Sequence, residues 1–350
     1  MGVIAVRCPS CGMKRDVDET FVRRTVKCLR CERPFSVKAA ISALHHFTGS
    51  LVAGKYLLRE LIGEGGFALV FRAEEVVANR ATRSVAVKLI YPDPEIPREA
   101  QAEELIAILK MSHPFIVHGI SAGVCELGGL KWLYLVMELA DETLDMRMHR
   151  GAMNPREVWT VTEHIVSGLA YLHKDPDRLV HRDLKPANIL RVGNYWKLAD
   201  FGLAYAMEKS AHPGRPKGGT ERYIPPEGFE GVITPAWDIW SLGVMLAEVF
   251  TGEHPFESDR HILFAITHLE PAIPDNLPVP FNEIIQGCLV KKRSMRWTAQ
   301  QVLAALNAAQ GMRATLSAYQ WTFKQALHRM GNGKETREGK SVARKGKNGS

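Results

Sequence analysis

The chain has 350 residues, 46% of them hydrophobic, and a formal net charge of +7; that is enough apolar chain to bury a large core with a smaller unit beside it. No run of about 18 apolar residues occurs, which excludes a membrane-spanning helix from the expectations. Val3-Ile4-Ala5-Val6 is cut short by Arg7 and Cys8, which argues against a signal peptide and leaves the cytoplasm as the expected location.

The charge sits at the ends: residues 1–48 carry +5, 49–310 carry −5 and 311–350 carry +7. The first segment holds Cys8-Pro9-Ser10-Cys11 and Cys28-Leu29-Arg30-Cys31, two C-x2-C knuckles with sixteen residues between them. Each knuckle offers two thiolates from one side, and a hairpin between them closes a tetrahedron, so Cys8, Cys11, Cys28 and Cys31 are the expected Zn2+ ligands. A segment of about 38 residues is too small to bury much core, which makes metal binding the source of its folding energy. Disulfides are the competing reading, and they are rare in a reducing cell. Bound thiolates would leave the segment mildly basic; its arginines offer a surface to nucleic acid or acidic protein, with a solvated face as the plain alternative. Cys125 and Cys288 have no partners by spacing and are expected to be structural.

Residues 39–53 read as a linker, after which β-rich patterning runs from Tyr56 to Ala140 and helical periodicity dominates beyond. Ile62-Gly63-Glu64-Gly65-Gly66-Phe67-Ala68-Leu69-Val70 reads as strand, glycine turn, strand, in which Gly63, Gly65 and Gly66 let backbone amides cover phosphates. Val85-Ala86-Val87-Lys88 is a β-branched strand ending on a lysine. Residues 97–111 place Ala102, Leu105, Ile106 and Leu109 at helical spacing, expect Ile108 and Met111 to point inward, and offer the carboxylates Glu99, Glu103 and Glu104. Trp132 to Ala140 reads as a further strand. Asn154 caps the next helix, Pro155 suits its first turn, Glu157 can reach back, and Val158, Val161, Ile165, Leu169 and Leu172 form its apolar stripe. Then follow His181-Arg182-Asp183-Leu184-Lys185-Pro186-Ala187-Asn188, Lys197-Leu198-Ala199-Asp200-Phe201-Gly202, Gly219-Thr220 ahead of Tyr223-Ile224-Pro225-Pro226-Glu227, Asp238-Ile239-Trp240-Ser241-Leu242-Gly243, and Arg296 between Lys292 and Thr298.

These motifs, in this order, resemble the protein kinase family over roughly Tyr56 to Asn307, and the knuckles resemble the zinc-ribbon modules found before some bacterial kinase domains of eukaryotic type. The resemblance implies an α+β chain with a two-lobed protein-kinase fold, a β-rich N-lobe and a helical C-lobe, preceded by a small zinc ribbon. Its divisions are 1–38 for the ribbon, 39–53 for the linker, 54–307 for the catalytic domain, 308–330 for a helical extension and 331–350 for a basic tail. It further implies Asp183 as the base that accepts a substrate hydroxyl's proton, Lys185 as the cation beside the transferring phosphoryl group, and Thr220 as their contact. Asn188 and Asp200 are the expected ligands of Mg2+ (or Mn2+), whose taste for carboxylate and amide oxygens they suit.

The resemblance also places Lys88 on the α- and β-phosphates of ATP, oriented by Glu104, with Glu99 the runner-up and a solvated face the plain reading of Glu99, Glu103 and Glu104 alike. Gly63, Gly65 and Gly66 cover the phosphates, with Ala68 in place of the usual third glycine. Val70, Ala86 and Leu190 wall the base, Met137 guards the pocket behind it, and the backbone near Glu138 and Ala140 reads the adenine edge; each is equally at home in a plain core. Asp141 and Glu142, just past the hinge, are candidates for ribose or a basic substrate. Asp238 tethers the catalytic loop, and Glu227 pairs with Arg296 after a Pro225 that replaces the usual alanine. Lys185 and Thr220 together point to the serine/threonine type, acting on protein hydroxyls. The alternatives are a nucleotide-binding scaffold without catalysis, resting on Ala68 and Pro225, and a binding protein led by its ribbon.

Between Gly202 and Glu227 the serine and threonine hydroxyls are Ser210 and Thr220. Arg182 is expected to receive an activation-loop phosphate, with autophosphorylation at Ser210 first and Thr220 second. Leu316, Tyr319, Phe323, Leu327 and Met330 repeat at helical spacing, for packing on the large lobe or docking a partner. Residues 331–350 lack apolar anchors and are expected to be disordered. The ribbon is expected to recruit a partner or regulate the lobes.

Overall fold

The computed structural model of the chain describes residues 3–8, 10, 13–18, 21, 24–37, 47–64, 68–90, 101, 105, 106, 108–128, 130–174, 179–200, 220–256 and 261–311. Two short antiparallel hairpins come first. β1 (Val3–Arg7) pairs with β2 (Lys14–Asp18), and β3 (Thr25–Lys27) pairs with β4 (Pro34–Ser36). Cys8 directly follows β1 and Cys28 directly follows β3, so each hairpin delivers a cysteine at a strand end.

A period of two organises the next half of the chain. β5 (Leu51–Val52), β6 (Tyr56–Glu64), β7 (Ala68–Val77), β8 (Arg80–Ile90), β9 (Gly119–Leu127) and β10 (Leu130–Glu138) form one antiparallel sheet in the order β5-β6-β7-β8-β10-β9. The stretch 39–53, expected as a linker, is more than that at its end. Leu51 and Val52 pair with Leu57 and Tyr56 as the sheet's first strand, and Phe47 is buried. Leu69, Phe71, Ala73, Val85, Val87, Leu89, Trp132, Tyr134 and Val136 alternate onto one face and are buried in a single cluster. The intervening residues Val70, Ala86, Lys88 and Met137 belong to the other face, where register pairs Val70 with Lys88 and Ala86 with Met137.

Helix backbone recurs at 105, 106 and 108–110, with Leu105 and Ile108 buried. Ile106, expected on the apolar stripe, is 47% exposed. The inward side is carried by Leu105, Ile108 and the partly buried Leu109 and Met111. Glu99, Glu103 and Glu104 lie outside the described residues.

The second lobe is helical. α1 (Leu144–His149) leads to α2 (Pro155–Leu172), whose first turn is capped by Asn154 Oδ1 accepting from the Glu157 N–H at 2.9 Å. Val158, Val161, Ile165, Leu169 and Leu172 are all buried. The Glu157 side chain does not reach back; Arg147 holds both its oxygens at 2.6 Å, a fork that outcompetes a single backbone amide. A small sheet of β11 (Glu142–Thr143), β12 (Ile189–Val192) and β13 (Tyr195–Leu198) lies beneath the junction of the lobes. α3 (Ala236–Thr251), α4 (Ile262–His268) and α5 (Phe281–Cys288) complete the lobe with helical backbone at 299–311. No helix among the described residues is long and apolar enough to cross a membrane.

α3 is buried on almost every side and packs closely on α5. At Gly243 an added Cβ would lie 2.7 Å from Cys288 Cβ and 2.9 Å from Leu289 Cδ2. Cys288 is fully buried and its thiol is pushed up to about 12 by burial, while burial raises Cys125 to about 11; both stay protonated and inert. We expect Gly243→Ala to be destabilising: overpacking costs about 1–3 kcal/mol, more than the roughly 1 kcal/mol that alanine gains in a helix. Urea denaturation of both proteins measures the difference.

Candidate active site

The site begins with one buried carboxylate. Asp238, near the start of α3, is wholly inaccessible, and it accepts from the His181 N–H at 2.8 Å and the Arg182 N–H at 2.9 Å. His173 Nε2 lies 2.8 Å from Asp238 Oδ2, the oxygen that takes the His181 N–H, and Trp237 Nε1 donates to the Arg182 carbonyl at 3.1 Å. These bonds fix a backbone that does not favour itself, since Arg182 has φ +64°, a left-handed value uncommon for a side-chain-bearing residue. The turn they impose sends Asp183 toward the lobe junction.

Lys185 Nζ donates to the two Asp183 oxygens at 3.0 and 2.8 Å. Asn188 Nδ2 donates to Asp183 Oδ2 and to the Asp183 carbonyl, both at 2.7 Å. Both amide hydrogens of Asn188 are thereby used on Asp183, so its Oδ1 is the end that a cation would meet. The Asn188 backbone carbonyl accepts from the Ala199 N–H at 3.0 Å as β12 and β13 pair, which puts Asp200 one residue further on. Asp200 also has a positive φ, +65°. Its Oδ1 is 2.7 Å from Lys88 Nζ, a contact that spans the two lobes.

Burial alone would raise the Asp200 pKa, but the Lys88 ammonium, followed by His181 and Lys185, outweighs it and holds the carboxyl below its ordinary value. Such a group adds stability above the unfolded-state pKa and loses it as pH falls through the depressed folded value. In Lys88→Met, burial would act without its main opponent. With its folded pKa no longer depressed, Asp200 would contribute less of the acid-side loss of stability, so the fall in urea midpoint between about pH 6 and 2 is expected to be smaller in the variant.

Above these charges lies an apolar slot. Ala86, Val117, Met137 and Ala199 are buried together, with Val70, Leu139 and Leu190 partly buried against them. Val70, Ala86, Met137 and Leu190 were expected here. Val117, Leu139 and Ala199 were not, although Ala199 directly precedes Asp200. Ala68, at the position of the missing glycine, carries its methyl buried in strand β7, and Gly63 pairs with Val70 in the sheet. Gly65 and Gly66 lie outside the described residues, as does the side chain of Thr220, whose backbone opens a short 3-10 turn at Thr220–Tyr223. Ser210 and the segment after residue 311 lie outside them too.

The hinge is braced by its own side chains. Lys197 Nζ donates to both Glu138 oxygens at 2.7 and 2.8 Å, and Glu138 Oε1 also accepts from the His118 N–H at 2.7 Å. Ala140 is partly exposed beside it. Glu142, a candidate for ribose or a basic substrate, is instead buried and taken by Arg191 at 2.6 Å and by Arg150. Asp141 Oδ2 accepts from the Gly193 N–H at 2.8 Å. Two arginines satisfy a carboxylate that would be costly to bury alone.

Glu227 and Arg296 form a fork, with Arg296 Nη1 and Nη2 donating to Oε1 and Oε2 at 2.6 and 2.9 Å. Arg296 also donates to the carbonyls of Val290, Ala236 and Lys291 and lies over the Trp240 ring. Its guanidinium thus ties the segment after Thr220 to α3 and to the loop before the last helix. Arg296→Leu leaves a buried carboxylate and three carbonyls without their donor. The expected loss is about 3–5 kcal/mol, measured by urea denaturation, with Arg296→Lys recovering only part because it lacks the fork.

At the N-terminus, the sulfurs of Cys8, Cys28 and Cys31 all lie within 4.8 Å of one another, and Cys8 and Cys31 are 3.7 Å apart. A tetrahedral Zn2+ with Zn–S bonds of about 2.3 Å spaces its sulfurs by about 3.8 Å. The three thiols therefore fit such an ion. Cys11 lies outside the described residues.

A lysine, two aspartates and an asparagine under an apolar slot between two lobes define a phosphotransferase class, and residues 56–306 match the family model of the protein kinase domain. The chain belongs to the protein kinase family. Within it, the chain is similar to bacterial serine/threonine kinases. It is 35% identical over 264 residues to serine/threonine-protein kinase PknA of Mycobacterium tuberculosis, covering 71% of this chain and 59% of that protein. It is 29% identical over 276 residues to serine/threonine-protein kinase PrkC of Bacillus subtilis, covering 75% and 41%. A relative from Drosophila melanogaster, serine/threonine-protein kinase fused, is 31% identical over 256 residues, covering 71% and 31%. The chain thus spans between about a third and three fifths of the length of these relatives.

Proposed function

We propose that the chain is an ATP-dependent serine/threonine protein kinase that transfers the γ-phosphate of Mg-ATP to protein hydroxyls. The observation that carries this reading is the ion pair of Lys88 and Asp200 across the lobes, set over Asp183 with its Lys185 and Asn188 partners. Val70, Ala86, Met137 and Leu190 would hold the adenine, and the backbone at Glu138 and Ala140 its edge. Gly63, Gly65 and Gly66 would cover the phosphates, with Lys88 on the α- and β-phosphates, oriented by Glu104. Asn188 Oδ1 and Asp200 would hold Mg2+ or Mn2+, which supplies charge neutralisation on the phosphates when bound.

In this reading Asp183 Oδ accepts the proton of the substrate hydroxyl, and Lys185 and Asn188 fix that carboxylate before the substrate arrives. Lys185 then faces the charge of the transferring group, and Thr220 steadies both side chains. Autophosphorylation would fall on Ser210, with Thr220 second, and Arg182 would receive the phosphate. Zn2+ would sit on Cys8, Cys11, Cys28 and Cys31. The cytoplasm suits both a supply of ATP and reduced thiols.

Transfer of labelled phosphate from Mg-ATP to the chain itself and to a generic basic protein tests the reading. Asp183→Asn is expected to lower transfer by at least about 10²–10⁴-fold while ATP still raises the melting temperature. Wild-type protein that binds ATP and transfers nothing would leave a nucleotide-binding scaffold.

A further inference from the structure

The three-cysteine site does not stand apart from the lobe that would hold ATP. Val6, Val17, Val26, Phe35 and Val37 of the two hairpins, together with Cys8 and Cys28, are buried in the same continuous cluster as Leu69, Phe71, Val87, Trp132 and Tyr134 of the large sheet. Phe47 belongs to the same cluster. It is 4% exposed and meets the rings of Phe71 and Trp132 edge-on, with centroids 6.3 and 5.5 Å away. Trp132 is buried to 1% and anchors its Nε1 on the Leu127 carbonyl at 3.2 Å.

Strands of three to five residues in isolated two-stranded hairpins are marginal in water. The hairpins are therefore held by two supports, the cysteine site on one side and the sheet on the other. A metal that binds only the ordered hairpins adds its binding free energy to whatever is ordered with them. Here that includes the outer face of the sheet. The opposite face, one residue along the same strands, carries Val70, Ala86, Lys88 and Met137.

We infer that metal at Cys8, Cys28 and Cys31 acts as an effector of the nucleotide-binding lobe: the loaded hairpins cap the sheet from outside, and metal loss uncaps it. This rests on the ribbon reading given above. Coupling of this kind is reciprocal, so a nucleotide that orders the lobe tightens metal binding.

The test uses the full chain, with zinc content, melting temperature and hydrogen exchange measured before and after a chelator. The expected result is stoichiometric zinc, a fall in melting temperature of about 5 °C or more on chelation, and faster exchange in β7, β8 and β10. Cys31→Ser should reproduce the chelated state, and Phe47→Ala should keep its zinc while chelation changes sheet exchange far less. If Phe47→Ala fails to fold, the chelated wild type and Cys31→Ser decide the matter. Protein that binds no zinc would overturn the ribbon reading and the effector with it. Protein that binds zinc, yet keeps its melting temperature and sheet exchange after chelation, would overturn the effector and leave the ribbon standing.

Discussion

The geometry at the lobe junction depends on a single buried carboxylate. Asp238 has no water to solvate it, so its charge is supported by the amides of His181 and Arg182 and by the His173 ring. That demand works in both directions. The loop can hold a left-handed Arg182 because its amides have a charged acceptor, and α3 can bury Asp238 because the loop supplies donors. Asp183, Lys185 and Asn188 inherit their positions from this bargain through the loop backbone.

The Lys88–Asp200 pair has a different character. It joins strand β8 of one lobe to the end of β13 in the other, and neither side chain is oriented by its own element alone. Glu138 and Lys197 repeat the theme at the hinge, where a carboxylate at the end of β10 meets an ammonium on β13. The lower-side members of the two pairs, Lys197 and Asp200, lie within four residues along the chain, so β13 and the two residues after it seat the upper lobe.

Much of this was legible in the sequence because motifs of chemistry are local. Asp183, Lys185 and Asn188 lie within six residues, and their mutual bonds follow from one loop. Glu227 and Arg296 are sixty-nine residues apart, and only the family pattern linked them. What local reading missed are contacts decided by packing between distant elements. Phe47 sits in a stretch without periodicity and looks like linker until Phe71 and Trp132 are seen around it. Glu142 looked free for a ligand, since nothing nearby in sequence announced Arg191 as its partner. Ile106 fitted a helical stripe but lies at its edge, where a one-position shift of the apolar arc leaves it in water.

The large sheet uses both faces for different ends, and a strand has only two. Inserting or deleting one residue within β7 or β8 would exchange Val70, Ala86 and Lys88 for Phe71, Val87 and Leu89, turning a charged slot into a greasy one and burying a lysine under the hairpins. A change of length is therefore expected to be tolerated in the turns and not within these strands. The turn between β7 and β8, where Ala78 and Asn79 both take positive φ, is a place where the chain could be lengthened or shortened without exchanging the two faces.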